Sequence, residues 1–312
     1  MAEATRWIVP AELSGERLDR IVSQISGLTR SQVRDLIDGR ALTVDGEVLA
    51  GSTRLTAGTE IVGVVPAPKT TPQPAAVPFT VLFEDGDVLV VDKPAGVVVH
   101  PGAGHSNDTL LNGLVARFPE LAALGEQHRY GILHRLDRGT SGALIVARSP
   151  SAHAALTAAL RARAIERVYL ALAEGSFDAD SGTIDAPIGR DPANPTRRAL
   201  AGDGRPARTH NRVMATWPGA TLLEVRLETG RTHQIRVHLS SIGRPLAGDA
   251  VYGHRGGPGD LGRVWLHAAA VRFRHPTSGE TIAVAAPLPA DLARSLRRLG
   301  TPQRGGLPAG LE

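Results

Sequence analysis

Residues 66–78, PAPKTTPQPAAVP, carry five prolines in thirteen positions. Each proline fixes its backbone φ and lacks an amide donor, so neither a helix interior nor a central strand can run through them. The stretch reads as a semi-rigid extended spacer with almost nothing that could pack. The chain must therefore build two separate cores. Residues 15–65 are expected to form one unit and 79–300 the other, with 66–78 as linker. The Pro/Gly-rich end, TPQRGGLPAGLE (301–312), reads as a disordered tail.

Composition removes several functional classes. The 312 residues contain no cysteine, which excludes a disulfide framework, a thiol nucleophile, an iron–sulfur cluster and thiolate zinc sites. No apolar run approaches the roughly 20 residues needed to cross a bilayer. The opening MAEATRWIVPAELSGE lacks the long apolar core of a signal peptide. These features read as a soluble, cytoplasmic protein. The charge is unevenly distributed. Residues 190–275 hold fourteen arginines against six Asp and Glu, a net +8, whereas the whole chain is only +4. Such a concentrated field suits a polyanion.

The first unit reads as helix, turn, helix, then short strands. Leu18, Ile21, Val22 and Ile25 share one helical face. T-R-S-Q at Thr29 has the capping-box pattern, with Gln32 reaching back, and Gly39 stands where a left-handed cap is expected. ALTVDGEVL then reads as a hairpin around Asp-Gly. In the second unit strands outnumber helices. The expected fold is α+β, a mixed and mainly antiparallel sheet with flanking helices, beside a small N-terminal α/β module.

Three segments carry candidate chemistry. In Y-G-I-L-H-R-L-D-R-G-T-S-G-A-L-I-V-A, Asp137 lies between Arg135 and Arg138 and is followed by Gly139 and Gly142. The glycines permit a tight turn and close approach, and an adjacent guanidinium favours an ionised carboxylate. Such a group can attack an electrophilic carbon or hold a cation; it can also simply cap a turn. In E-T-G-R-T-H-Q-I-R-V-H-L, a helix would place His233 and Arg236 one turn apart. Arg236 then borders the apolar stripe, where a guanidinium wants a carboxylate, and Asp137 is the natural candidate. The alternative is a surface arginine whose stem lies over the helix. In R-V-Y-L-A-L-A, alternation puts Val168, Leu170 and Leu172 on one face and Tyr169 on the other, where its ring could stack on a base or serve as a half-buried structural tyrosine.

Together these motifs carry a resemblance. L-T-R-S-Q-V-R-D-L-I-D-G-R-A-L-T-V-D-G resembles the S4 RNA-binding domain. H-R-L-D-R-G-T-S-G-A-L-I-V-A, R-V-Y-L-A-L and G-R-T-H-Q-I-R-V-H-L-S-S-I-G-R-P-L-A-G-D-A-V-Y-G resemble the RluA-type pseudouridine synthases. V-D-K-P-A-G-V-V-V-H-P-G-A-G, after an S4-like module, is similar to RluD-type members in particular. The likeness runs from about residue 15 to about residue 290.

The resemblance implies a uridine-to-pseudouridine isomerase with no cofactor and no metal, acting on RNA, with large-subunit ribosomal RNA the implied class and transfer RNA the alternative. It implies Asp137 as the catalytic aspartate, Tyr169 as the ring against the target base, Arg236 as the basic partner of the aspartate, and Arg135 as the side chain filling the gap left by the everted uridine. Arg30, Ser31, Arg34 and Arg40 would face RNA, unless they form a solvated helix face. Arg167 stands where the family often has Lys, and it reads as lying away from the chemistry. The chain is read as a monomer without metal or membrane partners. Two rivals are a metal-dependent hydrolase using His233 and His238, which lacks the glutamate of H-E-x-x-H, and a non-catalytic RNA-binding assembly factor.

Overall fold

The computed structural model describes residues 4–28, 30–64, 72–102, 104–194, 196–254, 258 and 261–307. The chain divides into two compact units, 1–71 and 72–312, parting within the proline-rich stretch.

The first unit starts earlier than the motifs suggest. Strand β1 (Ala4–Ile8) precedes helices α1 (Leu18–Ser26) and α2 (Arg30–Asp38), then β2 (Leu42–Val44) and β3 (Glu60–Val64). β1 and β2 pair antiparallel with opposite edges of β3, giving the order β1-β3-β2. Leu18, Ile21 and Val22 of α1 and Val33 and Leu36 of α2 are buried with Leu42, Val44 and Ile61, so the predicted stripes form one core. Two expectations need correction. The strand after Asp-Gly does not form a hairpin; only an isolated bridge joins Val44 to Glu47, and β2 finds its partner at residues 61–63. The left-handed position ending α2 belongs to Arg40 (φ 54), one residue past Gly39, because the amide of Ala41 reaches the carbonyl of Leu36 and fixes the cap there. The proposed capping box at Thr29 lies outside the described residues.

The second unit is built on one large sheet. β4 (Thr80–Glu84) and β5 (Val88–Lys93) are followed by α3 (Leu110–Arg117), β6 (Ser141–Ala147), α4 (Pro150–Arg161) and β7 (Glu166–Glu174). Next come β8 (Ser181–Asp185), β9 (Ile188–Arg190), β10 (Arg198–Leu200), β11 (Arg208–Trp217), β12 (Ala220–Leu227) and α5 (Gln234–Ser241). β13 (Leu266–Arg274), β14 (Thr281–Ala285), α6 (Ala290–Arg298) and β15 (Arg304–Gly305) complete the unit. The path runs β15-β11-β12-β7-β13-β6-β5-β4, with β14 on β13 and β8 on β11. Every pairing is antiparallel except β13 with β6. The expected mixed, mainly antiparallel α+β fold is what forms.

Alternation sorts the side chains into two layers. Leu89, Val91, Leu144 and Val146 join Leu110, Leu111 and Leu114 of α3 and Ile235 and Leu239 of α5. Their sequence neighbours Val88, Val90, Ala143 and Ile145 pack with Ala152 and Leu156 of α4. Leu170, Leu172 and Trp265 pack with Leu292 and Leu296 of α6. Helices thus cover both faces, which is why the strands read as near-continuous apolar runs.

The terminal segment is ordered over its described part, contrary to expectation. β15 pairs with β11 at Ala215 and Thr216, and the Gln303 amide donates to the Thr216 carbonyl. An unpaired edge of β11 outweighs the poor strand propensity of Gly and Pro there. Among the described residues no helix is long and apolar enough to cross a membrane.

Candidate active site

Asp137 follows Leu136 out of the core and sits at the mouth of the turn before β6. The Thr140 amide donates to the Asp137 carbonyl (3.0 Å), the Gly96 amide to the Arg138 carbonyl (2.7 Å), and Arg263 Nη1 to the Gly139 carbonyl (3.0 Å). Gly142 closes this turn at φ 116, where a Cβ would lie 2.2 Å from the Ala268 carbonyl oxygen. Only glycine lets β6 approach β13 there. Lys93, at the end of β5, is wholly buried and donates to the carbonyls of Pro94 (2.7 Å) and Val97 (2.8 Å), folding the adjacent K-P-A-G loop back on itself. Burial lowers its pKa to about 7, against the attraction of the nearby Asp137.

Arg236, on α5 and ninety-nine residues from Asp137, donates from Nη1 to Asp137 Oδ2 at 3.1 Å. The pairing expected from the cost of burying a guanidinium is therefore present. Arg236 also has a second carboxylate. Its Nε and Nη2 donate to Asp249 Oδ2 (2.7 Å) and Oδ1 (2.8 Å), and the Tyr252 ring lies 5.0 Å from its guanidinium carbon. Burial alone would lower its pKa, but Asp249 and Asp137 outweigh that and hold it above the usual arginine value. Asp249 is 1% exposed and accepts further bonds from the amides of Val251 and Tyr252. Burial opposes its charge, yet Arg236 keeps its pKa below the ordinary range.

His233 departs from the helical reading. It takes a left-handed conformation (φ 58) just before α5, so it is the cap of that helix and does not belong to its first turn. Its Nε2 stands 3.8 Å from Asp137 Oδ2 and its Nδ1 2.8 Å from the Tyr252 hydroxyl. The Tyr252 hydroxyl oxygen also accepts the Arg198 amide (2.8 Å). Burial lowers the His233 pKa. Arg236 and His233 thus both address Oδ2, and among the described residues no hydrogen bond reaches Oδ1.

Asp137, Arg135, Tyr169 and Arg236 all line one cavity of about 1080 Å³, with Leu136, Ile235 and Leu266. A second cavity of about 620 Å³ meets it at Arg135, Asp137, His233 and Arg236. Arg135 is exposed between the two. Tyr169 corrects its sequence reading: it is 5% exposed and belongs to the larger core with Ala171, Leu223 and Val225, because both faces of β7 are apolar. Burial raises its pKa, while Arg167 pulls it down. Arg167 also lines the cavity and does not lie away from it. Exposed arginines at positions 161, 163, 190 and 205 ring the same opening, so the excess charge of residues 190–275 is partly gathered here. His238, offered with His233 as a metal pair, is buried against Thr209 Oγ1 (2.8 Å) and the Ala186 carbonyl (3.0 Å). Among the described residues no group of three or more His, Cys, Asp or Glu could hold a metal ion.

In the first unit, α2 carries Arg30, Ser31 and Arg34, and Arg40 ends it; Arg34 and Arg40 are exposed. The side chains of Arg30 and Ser31 are outside the described residues. Asp249, Tyr252 and Lys93 were not singled out as site residues. A buried arginine bearing two N–H faces should have prompted a search for a second acid, and Asp249 between Gly248 and Ala250 was available.

A carboxylate held by a buried arginine and lining a cavity ringed by arginines is an arrangement suited to acting on part of a polyanion. The RNA pseudouridylate synthase model matches residues 87–241 and the S4 domain model residues 16–61. The chain is 46% identical over 300 residues to an uncharacterized RNA pseudouridine synthase of Chloroflexus aurantiacus, covering 96% of this chain and 94% of that one. It is 42% identical over 302 residues to the ribosomal large subunit pseudouridine synthase D of Nitrosomonas europaea, covering 93% and 86%. The solved human RNA pseudouridylate synthase domain containing 1 superposes with a TM-score of 0.55 at 30% identity, covering 69% of this chain and 85% of that one. The chain belongs to the RNA pseudouridine synthase family, isomerases that act on uridine in RNA.

Proposed function

We propose that this enzyme converts particular uridines of large-subunit ribosomal RNA to pseudouridine, with Asp137 as the reacting group. The RNA class is supported by the name and near full-length coverage of the Nitrosomonas europaea relative. The single observation carrying the site is the asymmetry of Asp137. Arg236 and His233 lie against Oδ2, no hydrogen bond among the described residues reaches Oδ1, and Asp137 lines a cavity of about 1080 Å³.

The target uridine leaves its stack, which costs a few kcal/mol offset by protein contacts. Arg135 fills the gap it leaves, and Tyr169 packs against the base. Asp137 Oδ1 then attacks the base at C6 or stabilises the sugar cation at C1′. In either route the N1–C1′ bond breaks, the uracil turns, C5 bonds to C1′, the C5 proton is released and N1 gains a proton; in the first route the Oδ1–C6 bond breaks as the C5 proton leaves, which restores C5=C6 and frees the Asp137 carboxylate. Arg236 keeps the Asp137 carboxylate aimed throughout. The apolar walls limit access of water while the base is detached. The reaction as proposed uses only side chains of this chain, which would work in the cytoplasm as a monomer without a metal. The S4 unit, through Arg30, Ser31, Arg34 and Arg40, would add phosphate contacts that strengthen capture of the RNA.

Carbodiimide mapping of pseudouridine in RNA from a deletion strain tests this. Signals in large-subunit ribosomal RNA should disappear, and wild type but not Asp137→Ala should restore them. Restoration by both would remove Asp137 from the reaction; losses confined to transfer RNA would replace the proposed substrate.

A further inference from the structure

Arg167 is a buried cation of the cavity that the mechanism above leaves unused. It stands on β7 two residues before Tyr169, is 6% exposed, and lines the cavity together with Asp137. Its only hydrogen bond among the described residues runs from Nη2 to the Leu227 carbonyl (3.2 Å). Its Nε is buried without a partner. Gly230 lies against it so closely that a Cβ there would be 2.8 Å from Nη1, and Gly230 thereby permits the guanidinium its place.

The other sheltered arginines of this unit differ. Arg236 is held by Asp249 and Asp137, and Arg263 by Asp291. Glu228, which also lines the cavity, is engaged by Arg163, Arg208 and His210. Arg167 forms no ion pair among the described residues. A buried charge without a counter-ion is costly to the fold. Its position in the cavity of a reaction that develops negative charge accounts for keeping it.

We propose that Arg167 is a catalytic residue that stabilises the negative charge developing on the uracil ring. The inference rests on the reading of the cavity given above. Both routes place that charge on the base. Breaking N1–C1′ sends the bond's electron pair onto the ring, delocalised over O2 and O4; attack at C6 sends a pair onto O4. Arg167 transfers no proton and stays a cation, so the atom balance of the isomerisation is unchanged. Phosphodiesters suit the exposed rim arginines, since backbone phosphates run along the surface and keep part of their hydration. The sheltered guanidinium suits the base, which the proposed reaction brings into the cavity. A fixed charge in a water-poor site needs no reorganisation as the anion forms.

The test compares full-length Arg167→Met and Arg167→Lys with wild type, with Asp137→Asn in parallel. Arg167→Met is expected to lower kcat by about 100-fold or more, with KM for RNA within about 3-fold and a melting temperature equal to or above wild type. Arg167→Lys, which keeps the charge, is expected to retain turnover within about 10-fold of wild type. A lower melting temperature with activity lost in proportion to unfolding would make Arg167 structural and overturn the proposal. A raised KM with unchanged kcat would make it a ground-state phosphate contact, and also overturn it. Normal turnover in Arg167→Met beside an inert Asp137→Asn would sink this inference alone. An active Asp137→Asn would instead sink the reading of the aspartate.

Discussion

Asp249 holds Arg236 by both carboxylate oxygens, at 2.7 and 2.8 Å, so that only Nη1 is left to meet Asp137 at 3.1 Å. The guanidinium is thereby a fixed support. Its plane is set by a buried acid, its face lies near the Tyr252 ring, and its free corner points at the reacting carboxylate.

Asp249→Asn should therefore impair turnover without touching substrate. Asparagine can keep the bonds from Val251 and Tyr252 through its oxygen, but its amide nitrogen would face Arg236 Nε, donor to donor. The expected result is a loss of kcat of about 100-fold at little change in KM. A kcat within about 3-fold of wild type would show that Asp249 does not position Arg236.

Arg236→Ala should cost stability as well as activity, because it strands the buried Asp249 carboxylate. Removing one partner of a buried pair typically costs about 3–5 kcal/mol. The double variant Arg236→Ala/Asp249→Ala should regain part of that stability and none of the turnover. Denaturant melts of the three proteins check this; a double variant less stable than Arg236→Ala would contradict it.

His267 gives the fold a pH limit. It is wholly buried; its Nε2 donates to the Ala286 carbonyl (3.3 Å) and its Nδ1 accepts from the Ser141 hydroxyl (3.0 Å). Burial lowers its pKa to about 4. Between pH 6.5 and 4 the unfolded chain therefore binds more protons than the folded one. The contribution is fully present above pH 6.5 and is lost as pH falls towards 4, by about 3 kcal/mol in all. His134, with a pKa lowered by burial to about 3, acts in the same direction. Thermal melts from pH 7 to 4 should show a steep decline that is shallower in His267→Gln. Equal slopes would remove His267 as a source.

Deleting residues 1–71 should raise KM for structured RNA while leaving kcat near wild type, since Asp137, Tyr169, Arg167 and Arg236 all belong to the second unit. Loss of phosphate contacts should also reduce the salt dependence of binding. A truncated enzyme inert at saturating RNA would show that the first unit is needed for the chemistry itself.

What the chain determines locally was legible before any coordinates. A period of 3.6 located α1 and alternation located β7, because side-chain direction along each element follows from backbone geometry alone. The proline run marked the boundary within which the two units part. The expected meeting of Asp137 and Arg236 followed from a general cost, that of an unpaired guanidinium beside an apolar stripe. Other features had no local signature. The left-handed residue closing α2 is Arg40, because the Ala41 amide reaches the carbonyl five residues before it, at Leu36, and sets the cap. β2 passes over its neighbouring Asp-Gly strand for β3, and residues 304–305 are ordered by an open edge of β11. Tyr169 is buried because both faces of β7 are covered. Asp249 reaches Arg236, and Arg167 lies without a counter-ion in the cavity. Each of these depends on which groups the folded chain brings together, and only the packing within each unit decides that.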